Sequence, residues 1–185
     1  MRRRTNWWLV ALISAAVVLS CVGLTLVIGF VVFFVSFADD DNVGPHQLDA
    51  KAAAKAMEQR RIGIPAGFTF EAMTVQRVFS GADGYTGRYA AAGRFDDAEH
   101  ALAQANPDFP ALRRATCADE IVHHDFAEFD GFHCDARTEL AVSTRSLDGE
   151  DVLTDNYSGT PPDAETVLLA GNGDQVELFV LSRGH

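Results

Sequence analysis

Basic side chains are scarce in this chain: of 185 residues, 15 are Lys or Arg against 26 Asp or Glu, for a net charge of −11. A nucleic-acid binder needs a basic stripe to neutralise phosphates, so that class is set aside. Cysteine is scarcer still, with three residues and no Cys-x-x-Cys, which removes the usual dithiol redox motif. Gly-x-Ser-x-Gly, a Walker loop, a dinucleotide fingerprint and His-Glu-x-x-His are all missing, and so are internal repeats and low-complexity tracts. The length suits one ordinary domain with a short appendage. No cofactor is expected, and the balance leans away from an enzyme.

What the chain does have is one long apolar run. Trp7 to Phe37 contains no charged side chain over 31 residues, and about 20 apolar residues suffice to cross a bilayer as a helix. Arg2, Arg3 and Arg4 precede the run, and Asp39, Asp40 and Asp41 follow it. Basic flanks stay on the cytoplasmic side, so the chain is expected to run from a cytoplasmic tail (residues 1–6) through an anchor (7–37) to an exported part. Trp7 and Trp8 fall where an interfacial aromatic belt belongs. The bilayer, contacted through residues 7–37, is thus the first expected partner, and the cell membrane the expected location. Two alternatives keep export and lose the anchor. Ser36 and Ala38 form a small-x-small pattern for cleavage after Ala38, although the apolar run is about twice the length of a usual signal core. Lipidation at Cys21 would leave sixteen apolar residues as a new N-terminus. Within the run, Ala11 with Ala15 and Ala16 with Ser20 are small residues four apart, a spacing that lets helices approach, though frequent in any Ala-rich span.

All 26 acidic residues and twelve of the fifteen basic ones follow residue 37, so the remainder carries about −14. Residues 38–46 read as an acidic stalk with His46 exposed, and 47–185 as the extracytoplasmic domain. The stalk opens like a calcium loop at Asp39, but Val43 and Ala50 fall where oxygen ligands are needed. Gln47 to Arg61 is Ala-rich, free of Gly and Pro, and predicts a helix stopped by Gly63 and Pro65. Phe68–Phe79, the turn Gly81-Ala82-Asp83-Gly84 and Tyr85–Phe95 predict an antiparallel hairpin. Asp96 or Asp97 is expected to cap a helix through Ala105, and Asp108 with Pro110 to start another through about Ala115. Residues 120–129 and 132–145 read as strands. Ser146–Asp163 reads as a loop, with a short strand at Val152-Leu153 and a formal glycosylation sequon at Asn156-Tyr157-Ser158. Thr166–Ala170, the turn Gly171-Asn172-Gly173-Asp174 and Gln175–Leu181 predict a second hairpin. The fold class is therefore α+β: one N-terminal transmembrane helix, then an antiparallel sheet with two or three helices covering one face.

Cys117 and Cys134 are the only exported cysteines, and an even count in an oxidising compartment reads as a disulfide. Between them lie His123, His124, Asp125 and His133, with Asp119, Glu128 and Asp130 nearby. If a metal binds, His123, Asp125 and His133 are the candidates, but no recognised ligand spacing is present. The bland reading of these is surface histidines on a disulfide-bound hairpin. The expected function is accordingly that of a single-pass anchored protein whose exported domain is a binding or accessory module of the cell envelope, partnered by another envelope protein or by itself. The alternatives are a secreted protein released near Ala38, and a metal-binding or enzymatic domain around the Cys117–Cys134 segment.

Overall fold

The computed structural model describes residues 7–38, 43–146, 152 and 163–184. The chain divides into two compact units, residues 1–42 and 43–185. The first contains one helix, α1 (Trp7–Ala38), of 32 residues. Its stretch Ser14–Val32 has a mean hydropathy of 2.7, and none of that stretch is buried within the protein. Thr25, a polar residue within the run, donates its hydroxyl to the Cys21 carbonyl at 2.7 Å, a bond made within the helix itself.

The second unit is α+β, built on one seven-stranded antiparallel sheet. In chain order it contains β1 (Gly44–Gln47), α2 (Ala50–Gln59), β2 (Thr69–Arg77), β3 (Gly84–Ala92), α3 (Phe95–Ala105), β4 (Arg113–Ala115), a π-helical turn (Val122–Phe126), β5 (Glu139–Ser146), β6 (Ala164–Asn172) and β7 (Gln175–Ser182). The strand order is β1-β2-β3-β7-β6-β5-β4. Both predicted hairpins are present. β2 pairs with β3 through Met73↔Gly87 and Thr74↔Thr86, and β6 with β7 through Asn172↔Gln175, leaving Gly173-Asp174 as a two-residue turn.

Residues Gly44–His46, read as the end of a stalk, belong instead to edge strand β1, where His46 lies opposite Val75 and is half-buried. The helix that follows starts later than expected because Asp49 caps it, its Oδ1 accepting the Ala52 N–H at 2.7 Å. Ala53, Ala56 and Met57 recur at helical spacing and are buried. Arg61 then turns left-handed at φ 53, ending the helix. Just beyond, Gly63 donates to Asn106 Oδ1 at 2.7 Å and accepts from Asn106 Nδ2 at 2.8 Å. That clasp joins the exit of α2 to the exit of α3.

Alternation divides the core into two layers. Odd positions of β5 and β6 and even positions of β7 (Ala141, Val167, Leu169, Val176, Leu178, Val180) pack with Met73 and Tyr89 under α2 and α3. The complementary positions (Leu140, Val142, Leu168, Ala170, Phe179, Leu181) pack against Ile121, Val122, Phe126 and Phe132. The sheet is thus covered on both faces over β5–β7, not on one, which explains the unbroken apolar runs of β6 and β7.

Three further expectations are corrected. Residues 120–129 form helical turns, including the π-helical turn, and not a strand. Of 132–145, only the part from Glu139 onward is β, with the strand running to Ser146. The helix expected from Asp108 to Ala115 does not form: the chain turns at 107–109 and ends in β4, which pairs with β5. Arg114 of β4 reaches back to α3, donating to Asp96 at 2.8 Å and Glu99 at 2.7 Å and lying 4.5 Å from the centre of the Phe95 ring. Asp96 is therefore an ion-pair partner in the first turn; the N-cap is Arg94, with no side-chain cap bond. Arg2–Arg4, Asp39–Asp41, Leu153 and the sequon at 156–158 lie outside the described residues.

Candidate functional site

The Cys117–Cys134 disulfide is present, closing 17 residues with a Cα separation of 5.8 Å. Inside it, Asp119 fixes the turn: its carboxylate accepts the Thr116 N–H at 3.1 Å and the Thr116 hydroxyl at 2.8 Å. The following helical turns point Ile121, Val122 and Phe126 inward. Phe129 and Phe132 meet the Phe179 ring edge-on at 5.8 and 5.2 Å, a favoured geometry for aromatic pairs. This segment is a lid of packed aromatics over the second face of β5–β7.

The imidazoles of the segment lie outside that packing. His123 and His124 are exposed, while Asp125 is turned away to accept from Arg183 Nη2 at 3.1 Å, its side chain only 2% exposed. His133 stands apart, in a shallow recess with Cys134, Asp135, Arg137 and Asn172. The proposed trio His123, Asp125 and His133 does not converge, and among the described residues no group of three His, Cys, Asp or Glu side chains is placed to hold an ion.

The lid stops short of β1–β3, whose second face is open. β2 sends Met73 and Val75 to the core and Ala72, Thr74 and Gln76 to this face, with the register shifting once between Phe70 and Ala72. β3 adds Thr86 and Arg88, and β1 adds Gln47, which donates to the Thr74 hydroxyl at 2.8 Å. Two concavities lie here. One, of about 210 Å³, is lined by Gln47, Thr74, Arg88 and the lid edge Glu128-Phe129-Asp130. The other, of about 390 Å³, runs from Gln76 and Val78 to Tyr85 and Leu181. Thr74 and Thr86 line both, so the two form one trough along β2 and β3.

Arg88 sits at the lid edge. Its guanidinium is 3.8 Å from Glu177, and its Nε is buried with no hydrogen-bond partner. It presses against Gly131, which adopts φ 81; a Cβ there would collide with the guanidinium, so both backbone and space require glycine. With Glu128 and Asp130 alongside, Arg88 sits within an acidic rim at this end of the trough, and Arg183, paired with Asp125, lines the other.

Two further polar groups are buried but line neither concavity. Glu165 is paired with Arg145, and one of its carboxylate oxygens has no partner. Tyr89, also without a hydroxyl partner, has its pKa pushed up to about 12 by burial.

No protein-family model matches the chain, and neither a curated protein nor a solved structure matches it. The open trough is the feature that sequence reasoning missed. Thr74, Gln76, Thr86 and Arg88 alternate with apolar residues as any solvent-facing set does, and only the place where the lid ends separates a site from a surface.

Proposed function

We propose that this chain is a single-pass membrane protein anchored by α1, with its N-terminus in the cytoplasm, and that residues 43–185 form an exported binding module. The anchor reading is supported by the uncharged run of α1. Its 19-residue segment Ser14–Val32 spans about 28 Å at 1.5 Å per residue, close to the hydrocarbon thickness. The orientation follows from Arg2–Arg4 before the run and Asp39–Asp41 after it. Export is supported by the Cys117–Cys134 disulfide, which persists in oxidising compartments.

The single observation that carries the binding role is the trough on β1–β3, a sheet face left uncovered beside a lid that seals the rest. Its polar floor and acidic rim suit a polar partner surface that brings its own cations, and the partner is another protein of the envelope. A photo-reactive benzophenone at Thr86, compared with one at Asp97 on α3, tests this in intact cells. Crosslinks to a discrete partner from position 86 and none from 97 are expected. Monomer alone from both positions would overturn the binding role, and a crosslinked dimer would replace the envelope partner with a second copy. Intact mass after fractionation tests the anchor: a membrane-bound, full-length chain is expected, and a soluble form beginning at Asp39 would make the protein a secreted one.

A further inference from the structure

Outside α1, the exposed large hydrophobic side chains among the described residues are Val43 (41%), Val78 (42%) and Phe79 (74%). They are not scattered. The β1–β2 register sets Gly44 opposite Arg77, and carried one step further it sets Val43 across from Val78, with Phe79 next in the chain. All three therefore stand at one end of the sheet. That is the end at which the chain enters the domain from α1, because β1 begins there. The opposite end carries the exposed polar turn Gly173-Asp174.

Chain length ties this end to a bilayer. Five residues separate Ala38, the last of α1, from Gly44, the first of β1, and an extended chain covers at most about 3.6 Å per residue. The chain thus holds Gly44 within about 20 Å of Ala38, the last residue of the anchor helix. Single exposed apolar residues need no explanation, but two valines and a phenylalanine gathered at the tethered end of the sheet do. Water is a poor environment for it, and the headgroup boundary, where aromatic rings collect, is a good one.

We infer that Val43, Val78 and Phe79 form a lipid-contact surface that seats the end of the sheet on the membrane from which the chain emerges. This rests on the anchored reading. The surface acts by apolar insertion rather than by attraction to anionic lipid, because Asp39–Asp41 and Asp83 lie beside it in the chain.

The test uses the full-length chain reconstituted in phosphatidylcholine nanodiscs, with a benzophenone placed singly at Leu24, at Phe79 or at Asp174. Lipid adducts at Leu24 and Phe79, and at least tenfold fewer at Asp174, are expected. Adducts at Leu24 without adducts at Phe79 would overturn the lipid-contact surface and leave the anchor standing. Equal labelling at Phe79 and Asp174 would overturn it as well, as non-specific contact. Absence of adducts at Leu24 would remove the anchor, and the surface with it. A companion Phe79→Asp substitution, expected to leave the melting temperature unchanged, should halve or further reduce labelling from a benzophenone at Val78. Unreduced labelling there would count against insertion of the ring.

Discussion

Arg145 and Glu165 face each other across β5 and β6, Nη2 to Oε2 at 3.0 Å, with side chains 10% and 2% exposed. The same Nη2 also donates to the carbonyls of Arg60 and Arg61 at 3.1 Å, and the guanidinium stacks 4.2 Å from the centre of the Phe109 ring. One side chain thereby holds the exit of α2 and the segment after α3 onto the sheet. Among the described residues, Arg145 is the cation paired with the buried Glu165 carboxylate.

Arg145→Met should therefore destabilise the domain by about 3–5 kcal/mol, because it leaves a buried charge uncompensated. The double variant Arg145→Met/Glu165→Leu should recover much of that loss, since removing both charges removes the desolvation penalty. Urea denaturation of the purified protein checks both. A loss below about 1 kcal/mol for the single variant would mean that water reaches Glu165.

Tyr89 provides a pH signature. It is 5% exposed, and burial raises its pKa from 10.0 to about 12. Between those values the folded chain keeps a proton that the unfolded chain has released, so stability must fall as pH rises through this window and be unaffected by the group below it. The fall should be on the order of 2 kcal/mol. Tyr89→Phe should abolish that part of the decline, and at neutral pH it should cost nothing, because the hydroxyl it removes has no partner. Unfolding free energies at about pH 9 and about pH 11, compared between wild type and variant, decide it. Identical slopes would show that the ring is not held neutral by burial.

The disulfide holds the lid, not the whole domain. Reducing Cys117–Cys134 should cost roughly 3 kcal/mol through the freed loop. Its effect should be local: amide exchange should quicken across residues 117–134 well before β2 and β3 are affected, because Phe126 and Phe132 pack only against the second face. Exchange measured with and without reductant tests this, and uniform acceleration across the sheet would show that the lid and sheet open together.

Much of this fold was legible from local chemistry. The β2–β3 and β6–β7 hairpins are announced by Gly-Ala-Asp-Gly and Asn-Gly-Asp between alternating apolar runs, and the Cys117–Cys134 pair by elimination. What misled was composition without period. Ile121, Val122, Phe126 and Phe129 suggested a strand by residue type, yet their spacing is that of a helical turn over a flat apolar sheet face. Leu112–Ala115 suggested a helix because Asp108 and Pro110 resemble a helix start. Its fate was decided by the free edge of β5 and by Arg114 reaching Asp96 and Glu99, neither of which is local. β1 was invisible for the same reason: four residues become a strand only because β2, some thirty residues on, offers an edge. Among the candidate metal ligands, Asp125 was lost to Arg183, 58 residues away, a competition that spacing cannot reveal.

The strand order has a consequence for how the domain assembles. β1–β2–β3 and β4–β5–β6 are two groups made in sequence, and among the described residues they are joined through β7, which pairs with β3 on one side and β6 on the other. β7 is the last of the seven strands in chain order. Until residues 175–182 have been synthesised, neither group has its central neighbour, and the inner positions of β3 and β6 stay open edges. Under the exported reading proposed above, this order matters during passage through a translocation channel. The seven-stranded sheet cannot be completed early, because the strand that joins its two groups comes after the other six.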